Sequence, residues 1–361
     1  MSPPFVTAAF ALLLVSQADA ATLCVNPGGT GGCFASIQGA VDAAASSDLI
    51  VVAPGTYTEN VDLPALRNVT IEGAGVGSTV LQTSGNVGVG ITAQAPQTRI
   101  TLRGVTIRGS IADDSRGVLA GERTKVRLLE CEITEHGIGI GVDRARIELE
   151  SSWVHGNEYG IQYYSRFFEI LRSTVSDNLF VGVLSVWGFT SDTVRAPRIR
   201  VADSTISGNG DAGISEVVGL GGPGPAAGSR ISRSTIVGNG VGIDVSSNVP
   251  ITSHRFRLDA TVLSANTTDC NVIVRSDGYN FLGTACASTF VVGSGATSDV
   301  IGDDPMLGPL QDNGGPTLTH EPLEGSPVLE VVGRRSSCQN ADQRLGARLP
   351  EPCDIGAVEA P

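Results

Sequence analysis

Apolar positions in this chain recur as columns. The run STISGNGDAGI at 204–214 returns as STIVGNGVGI at 234–243, and weaker copies extend the series in both directions. Its central apolar residues are Ile107, Ile133, Val154, Val175, Ile206, Ile236 and Val262, spaced 21 to 31 residues apart. Five residues upstream of the first six stand Leu102, Leu128, Leu149, Ile170, Val201 and Ile231; Leu258 precedes the seventh by four. A Gly-Ile or Gly-Val closes the units at Ile140, Ile161, Val183, Ile214 and Ile243. Each unit therefore predicts three short strands separated by turns.

One such unit cannot bury its apolar side alone. A stack can, because each strand then pairs with its copies about 4.8 Å above and below. The pattern predicts an all-β, single-stranded parallel β-helix. Asn157, Asn178, Asn209 and Asn239 lie three residues after successive central positions, and His136 takes that place after Ile133. Asparagine tolerates a left-handed turn, and stacked amides can bond along the axis as a ladder. Two residues before the central positions runs a column of mostly small residues: Val105, Cys131, Ser152, Ser173, Ser204, Ser234 and Ala260. Cys131 thus reads as a small buried apolar group rather than a nucleophile. The outward column Thr106, Glu132, Trp153, Thr174, Thr205, Thr235, Thr261 reads as β-branched ladder packing.

Composition adds the compartment. Residues 1–20 carry an apolar run from Phe5 to Val15 and end in Ala18-Asp19-Ala20, the pattern of a cleaved signal peptide, so Ala21 is the expected first mature residue. That run is too short to span a bilayer, and no later stretch is apolar enough. Export permits disulfides, and proximity pairs Cys24 with Cys33, Cys270 with Cys286 and Cys338 with Cys353, leaving Cys131. A net charge of −13 argues against nucleic acid as a partner. Lys125 is the only lysine; all other cations are arginine.

The two ends carry resemblances. SIQGAVDAAA (36–45) sets Ile37, Val41 and Ala44 on one helical face behind Ser36, and LIVVAPGTYTENV (49–61) and NVTIEGAG (68–75) begin the strands. This opening resembles pectin-lyase-like right-handed parallel β-helix proteins, which implies an N-terminal helical cap over the first coil. SDGYNFLG (276–283), DPMLGPLQDNGGPTLTHEPLEGSPVLEV (304–331) and DQRLGARLPEPCDIGAVE (342–359) resemble the choice-of-anchor Q module of secreted bacterial β-helix proteins. Leu345 departs from that module where glycine is expected after Asp-Gln-Arg. The expected organisation is a signal peptide (1–20), cap and first coil (21–75), coils (76–275) and C-terminal module (276–361). Secretion as a monomer is expected, with cell-surface association as the alternative.

Motifs of pectin-acting enzymes are not assembled here. Asp113-Asp114 and Asp303-Asp304 lack companions, and the methylesterase-like PGTYTENV lacks that family's later blocks. His155, His254 and His320 form no metal-ligand spacing. Two distributions stand out instead. Nine aromatics fall within 153–189; strand alternation turns Tyr159, Tyr163 and Phe168 inward and Phe167, Phe180 and Trp153 outward, with Tyr164, Trp187 and Phe189 in turns. From the closing apolar residue to the next coil takes 9 residues after Ile140 and Ile161, then 18, 17 and 15 after Val183, Ile214 and Ile243. Insertions 184–198, 215–230 and 244–257 therefore share one face, as binding sides of solenoids do. At their exits the column reads Glu148, Glu169, Arg200, Arg230, Arg257, with Arg198 and Arg255 two residues upstream.

Stacked like charges repel, so the arginine row asks for an anion. That anion is either a bound polyuronate or the chain's own Asp192, Asp211, Glu216 and Asp244. Three functions are consistent with this. The first is non-catalytic binding of polysaccharide or cell-surface glycan by Tyr164, Phe167, Trp187, Phe189, Arg198, Arg200, Arg230 and Arg257. The second is a polysaccharide lyase or hydrolase; by resemblance to lyases of this fold, Arg200 or Arg230 would be the base and Asp211, Glu216 or Asp244 would hold Ca²⁺. The third is a structural adhesin or spacer.

Overall fold

The computed structural model describes residues 20–85, 88–111, 114–164, 167–187, 198–218, 228–247 and 256–360. Its strands form three parallel sheets: sheet A with twelve, sheet B with eleven and sheet C with nine. The chain visits them in the order A, B, C once per coil, which makes a parallel β-helix.

The columns pair in register. In sheet A, Leu102, Leu128, Leu149, Ile170, Val201, Ile231 and Leu258 stack. Sheet B stacks Ile107, Ile133, Val154, Val175, Ile206, Ile236 and then Leu263. Ile140, Ile161, Val183, Ile214 and Ile243 stack in sheet C. All three columns face one continuous buried core. The seventh central residue is therefore Leu263, not Val262, and five residues separate it from Leu258 as in every other coil. Ala260 occupies the turn position, at φ +48°, that Arg233 occupies one coil earlier at +47°.

That turn, between sheets A and B, holds one left-handed residue in each coil: Glu130, Ser151, Arg172, Asp203, Arg233 and Ala260 all lie between +47° and +53°; a second stands just before each ladder position, at Glu135, Gly156, Asp177, Gly208, Gly238 and Ala265. The asparagines do not adopt this conformation. They are selected by hydrogen bonding instead. Each buried Nδ2 donates to the Oδ1 of the next rung, from Asn157 to Asn178 (3.0 Å), Asn209 (2.8 Å), Asn239 (2.8 Å) and Asn266 (2.9 Å). Asn266, three residues after Leu263, is a rung that the misplaced central residue had hidden. A second ladder runs down the small column, where the backbone N–H of Ser152, Ser173 and Ser204 donates to Ser173, Ser204 and Ser234 Oγ.

A short helix, Ile37–Ala43, buries Ile37, Ala40 and Val41. Ser36 accepts the N–H of Gly39, while Glu59 of the PGTYTENV run accepts the N–H groups of Ile37 (2.8 Å) and Gln38 (2.9 Å). Glu59 thus satisfies the first-turn donors of a helix. The disulfides are Cys24–Cys33, Cys270–Cys286 and Cys338–Cys353.

The sheets run on through Val300–Ile301, since Phe281–Leu282 pairs with Val262–Leu263 and then with Val300–Ile301. Residues 276–301 therefore belong to the stack. Residues beyond 303 turn back over the outer face of sheet B. Thr174 donates to Leu318 O (2.6 Å) and Thr205 to Gln343 Oε1 (2.7 Å); Thr235 accepts the N–H of Ala357 (3.1 Å). The outward threonines are the seat of this segment, not merely ladder packing. Gln343 is fully buried, and its Nε2 donates to Thr174 Oγ1, Thr317 Oγ1 and Leu318 O. Arg348 pairs with Asp203 and Glu359, and Asp203 also takes both arms of Arg233. An apolar layer of Val237, Val262 and Phe281 against Val328, Val332 and Ile355 completes the contact.

Leu345 lies at φ +69° with its side chain mostly exposed. The left-handed region costs a non-glycine residue about 1–2 kcal/mol, of which glycine's chain entropy returns about 0.5–1 kcal/mol. Leu345→Gly should therefore raise the denaturation midpoint, by up to about 1 kcal/mol in equilibrium unfolding. His136 is buried, and neither ring nitrogen makes a hydrogen bond of normal geometry. Burial lowers its pKa to about 4 from 6.5. Between those values the unfolded chain binds a proton that the folded chain does not. Its contribution is complete above pH 6.5 and is lost as pH falls toward 4, on the order of 3 kcal/mol in all. His136→Asn, which restores the ladder residue, should flatten the pH 4–6.5 limb of the stability profile; an unchanged limb would refute this.

Candidate functional site

The outer face of sheet A carries a row of arginines. Glu148, Glu169, Arg200, Arg230, Arg257 and Arg275 stack in register, one residue before the core positions. One step nearer the strand starts, Lys125, Arg146, Phe167 and Arg198 form a parallel column. Strand alternation aims both columns outward because the intervening residues fill the core.

The row is not bare. Glu148 holds both Lys125 (3.0 Å) and Arg146 (2.9 Å), and Glu150 holds Arg127 and Arg172. Asp259 serves Arg230 (3.6 Å) and Arg334; Asp277 serves Arg257 (2.9 Å) and Arg275 (3.7 Å). Arg200 meets Glu169 at 2.9 Å. The partners are thus Glu169, Asp259 and Asp277 rather than Asp211, Glu216 and Asp244; Asp192 lies outside the described residues. Asp259 and Asp277 sit two residues after Arg257 and Arg275, the same-face spacing of a strand, so their sequence signal was present. Asp277 also holds the Arg257 guanidinium more firmly protonated. Arg198 is exposed and makes no ion pair among the described residues.

The acids of the insertions do not converge. Asp211 is exposed in the turn before Ala212–Val218. Glu216 points inward, in the column Tyr163, Ser185, Glu216, Val245, and is buried. Asp244 is on the outer side of sheet C, where it accepts from Ser215 Oγ (2.8 Å), Ser246 Oγ (3.2 Å) and Asn271 Nδ2. Asp211 and Asp244 are separated along the strands by about four residues, or about 13 Å. These three carboxylates cannot share one Ca²⁺ in this arrangement, and none of them joins Arg200 or Arg230.

The three insertions begin as extensions of sheet C. Val181–Trp187, Ala212–Val218 and Val241–Ser247 are seven-residue strands where earlier coils have five. Residues 188–197, 219–227 and 248–255 lie outside the described residues, and Phe189 and His254 with them. Trp187 pairs with Val218 as a strand residue. Tyr164 is exposed, and Phe167 faces outward with the Arg146 guanidinium 4.9 Å from its ring centre. Tyr163 and Phe168 are buried in the core. Tyr159 is only partly buried and packs on Phe180, ring centres 5.2 Å apart, in a cluster separate from that core.

No family model and no curated protein matches the chain. Among solved structures, pectate lyase Pel9A aligns over 96% of this chain and 98% of its own, with a TM-score of 0.55 and 14% identity. A pectin methylesterase from carrot aligns over 80% and 91%, with a TM-score of 0.51 and 14% identity. The fold is shared with both.

Cys131 is enclosed, and burial lifts its thiol to about 11. A thiol-reactive disulfide reagent at pH 8 should therefore find no thiol in the native protein and one after denaturation; native reaction would contradict the inward column.

Proposed function

We propose that this is an exported right-handed parallel β-helix protein whose sheet A face holds an acidic polysaccharide without cleaving it. Charge sharing carries the reading. On a chain of net charge −13, four carboxylates near one face each serve two cations, so that face keeps a positive excess. Guanidinium forks stacked one coil apart offer bidentate donors to successive carboxylates or sulfates of a linear polymer. Phe167, beside Arg198 in register, and exposed Tyr164 add ring faces for sugar C–H groups. Trp187 and Phe189 are proposed for the same binding role from their sequence positions alone.

Absence of chemistry is supported by the divergence of Asp211, Glu216 and Asp244 from the arginine row. Three disulfides support export. So does Ala21, whose N–H meets buried Asp48 Oδ1 at 2.8 Å. Cleavage after Ala20 would set the new α-ammonium on that carboxylate. The helix Ile37–Ala43 is read as the cap of the first coil. The anchor-like C-terminal signature is read as architecture, because Gln343 and Arg348 fasten it to the chain's own coils.

The two solved enzymes are named for pectate and pectin, so polyuronates come first among test polymers. Affinity electrophoresis against polygalacturonate, alginate, a sulfated glucan and xylan, with and without calcium, tests the reading. Binding to a polyanion should weaken with salt. In Arg200→Gln/Arg230→Gln, affinity should fall at least tenfold. New reducing ends or unsaturated products from any polymer would make the protein an enzyme instead. Failure to bind every polymer would leave a structural spacer.

A further inference from the structure

The outer face of sheet B carries threonine and serine along its middle coils. Its outward column reads Val80, Thr106, Glu132, Trp153, Thr174, Thr205, Thr235, Val262, and its neighbour Gln82, Arg108, Thr134, His155, Ser176, Ser207, Val237. Threonine and serine seat the C-terminal segment from Thr174 onward. Glu132, Trp153 and His155 interrupt both columns on the adjoining rungs, before the segment's first contact. A repeat that breaks its own rule where packing does not require it marks a candidate site.

The three side chains are built into one unit. The Trp153 indole and His155 imidazole stack with ring centres 3.6 Å apart and planes 19° from parallel. The indole edge is held by its Nε1–H donating to Ser176 Oγ at 3.0 Å. His155 Nε2 lies 3.1 Å from Glu132 Oε1, and Glu132 Oε2 accepts from Thr106 Oγ1 at 2.8 Å. All three remain partly exposed. On the next rung Thr174 donates to Leu318 O, so the returning segment stands as a wall one strand away.

We propose that Trp153, His155 and Glu132 form a second carbohydrate site, against the edge of the C-terminal segment, that takes a neutral sugar ring. A fixed indole offers an apolar face to sugar C–H groups. The imidazole and carboxylate supply a donor and acceptors for hydroxyls. Charge selects the class: the His155 contact holds the Glu132 carboxyl below the usual range, so it stays ionised and disfavours a uronate. This site is independent of the arginine row, and the two would let the protein bridge an acidic and a neutral glycan.

Trp153 and Trp187 are the only tryptophans, so intrinsic fluorescence reports the site directly. Purified protein is titrated with cellohexaose, xylohexaose, mannohexaose and chitohexaose to 10 mM, with hexagalacturonate as the anionic comparison. At least one neutral hexamer should shift or quench emission. That response should persist in Trp187→Phe and in Arg200→Gln/Arg230→Gln. It should vanish in Trp153→Ala, and its Kd should rise at least tenfold in Glu132→Gln, with the denaturation midpoint of each variant showing that it is folded. Silence toward all four neutral hexamers, or a response lost with Trp187 instead of Trp153, would overturn the proposal.

Discussion

Everything in this molecule follows from axial stacking. Strands one coil apart lie about 4.8 Å from each other, so every side chain has its own column as its nearest company. For apolar residues this produces the core. For asparagine it produces a chain of buried amides in which donor and acceptor alternate, leaving few polar groups unsatisfied. For arginine it produces repulsion, which the molecule relieves with acids on the same face. Where one carboxylate serves two cations, as Glu148, Glu150, Asp259 and Asp277 do, relief is incomplete, and the sheet A reading rests on that remainder.

The C-terminal segment answers a different need. An outward row of threonines on a flat parallel sheet is a surface without a partner, and Gln343 supplies one by bonding two rungs at once. Asp342 fixes the same turn, accepting the N–H groups of Arg344, Gly346 and Glu359. Arg348 and Asp203 then join the segment to the left-handed turn between sheets A and B. The Asp-Gln-Arg signature is thus a clamp, and the strained backbone at Leu345 explains why glycine was expected there.

Much of the fold was legible because its period is written in apolar residues of constant offset. The register failed at one coil, where Val262 and Leu263 are both apolar and the turn residue Ala260 carries no conformational signature. The site was legible only in part. Alternation placed Arg200, Arg230 and Arg257 outward, but sequence proximity suggested partners from the insertions, whereas the partners come from neighbouring strands of the same sheet. Glu216 shows the limit of composition: an acid in an insertion was expected at the surface, and strand parity turns it into the core. The double role of the threonine column was invisible because its partner lies more than a hundred residues away.

The central claim is that a polyanion lies on the arginine face of sheet A. Its most direct test is arginine-selective dicarbonyl footprinting, read by mass spectrometry, with and without saturating hexagalacturonate. The account predicts protection of Arg198, Arg200, Arg230 and Arg257, while Arg123, in a turn with its side chain 77% exposed, stays reactive. Protection confined to other arginines, or none at a saturating concentration, would contradict it.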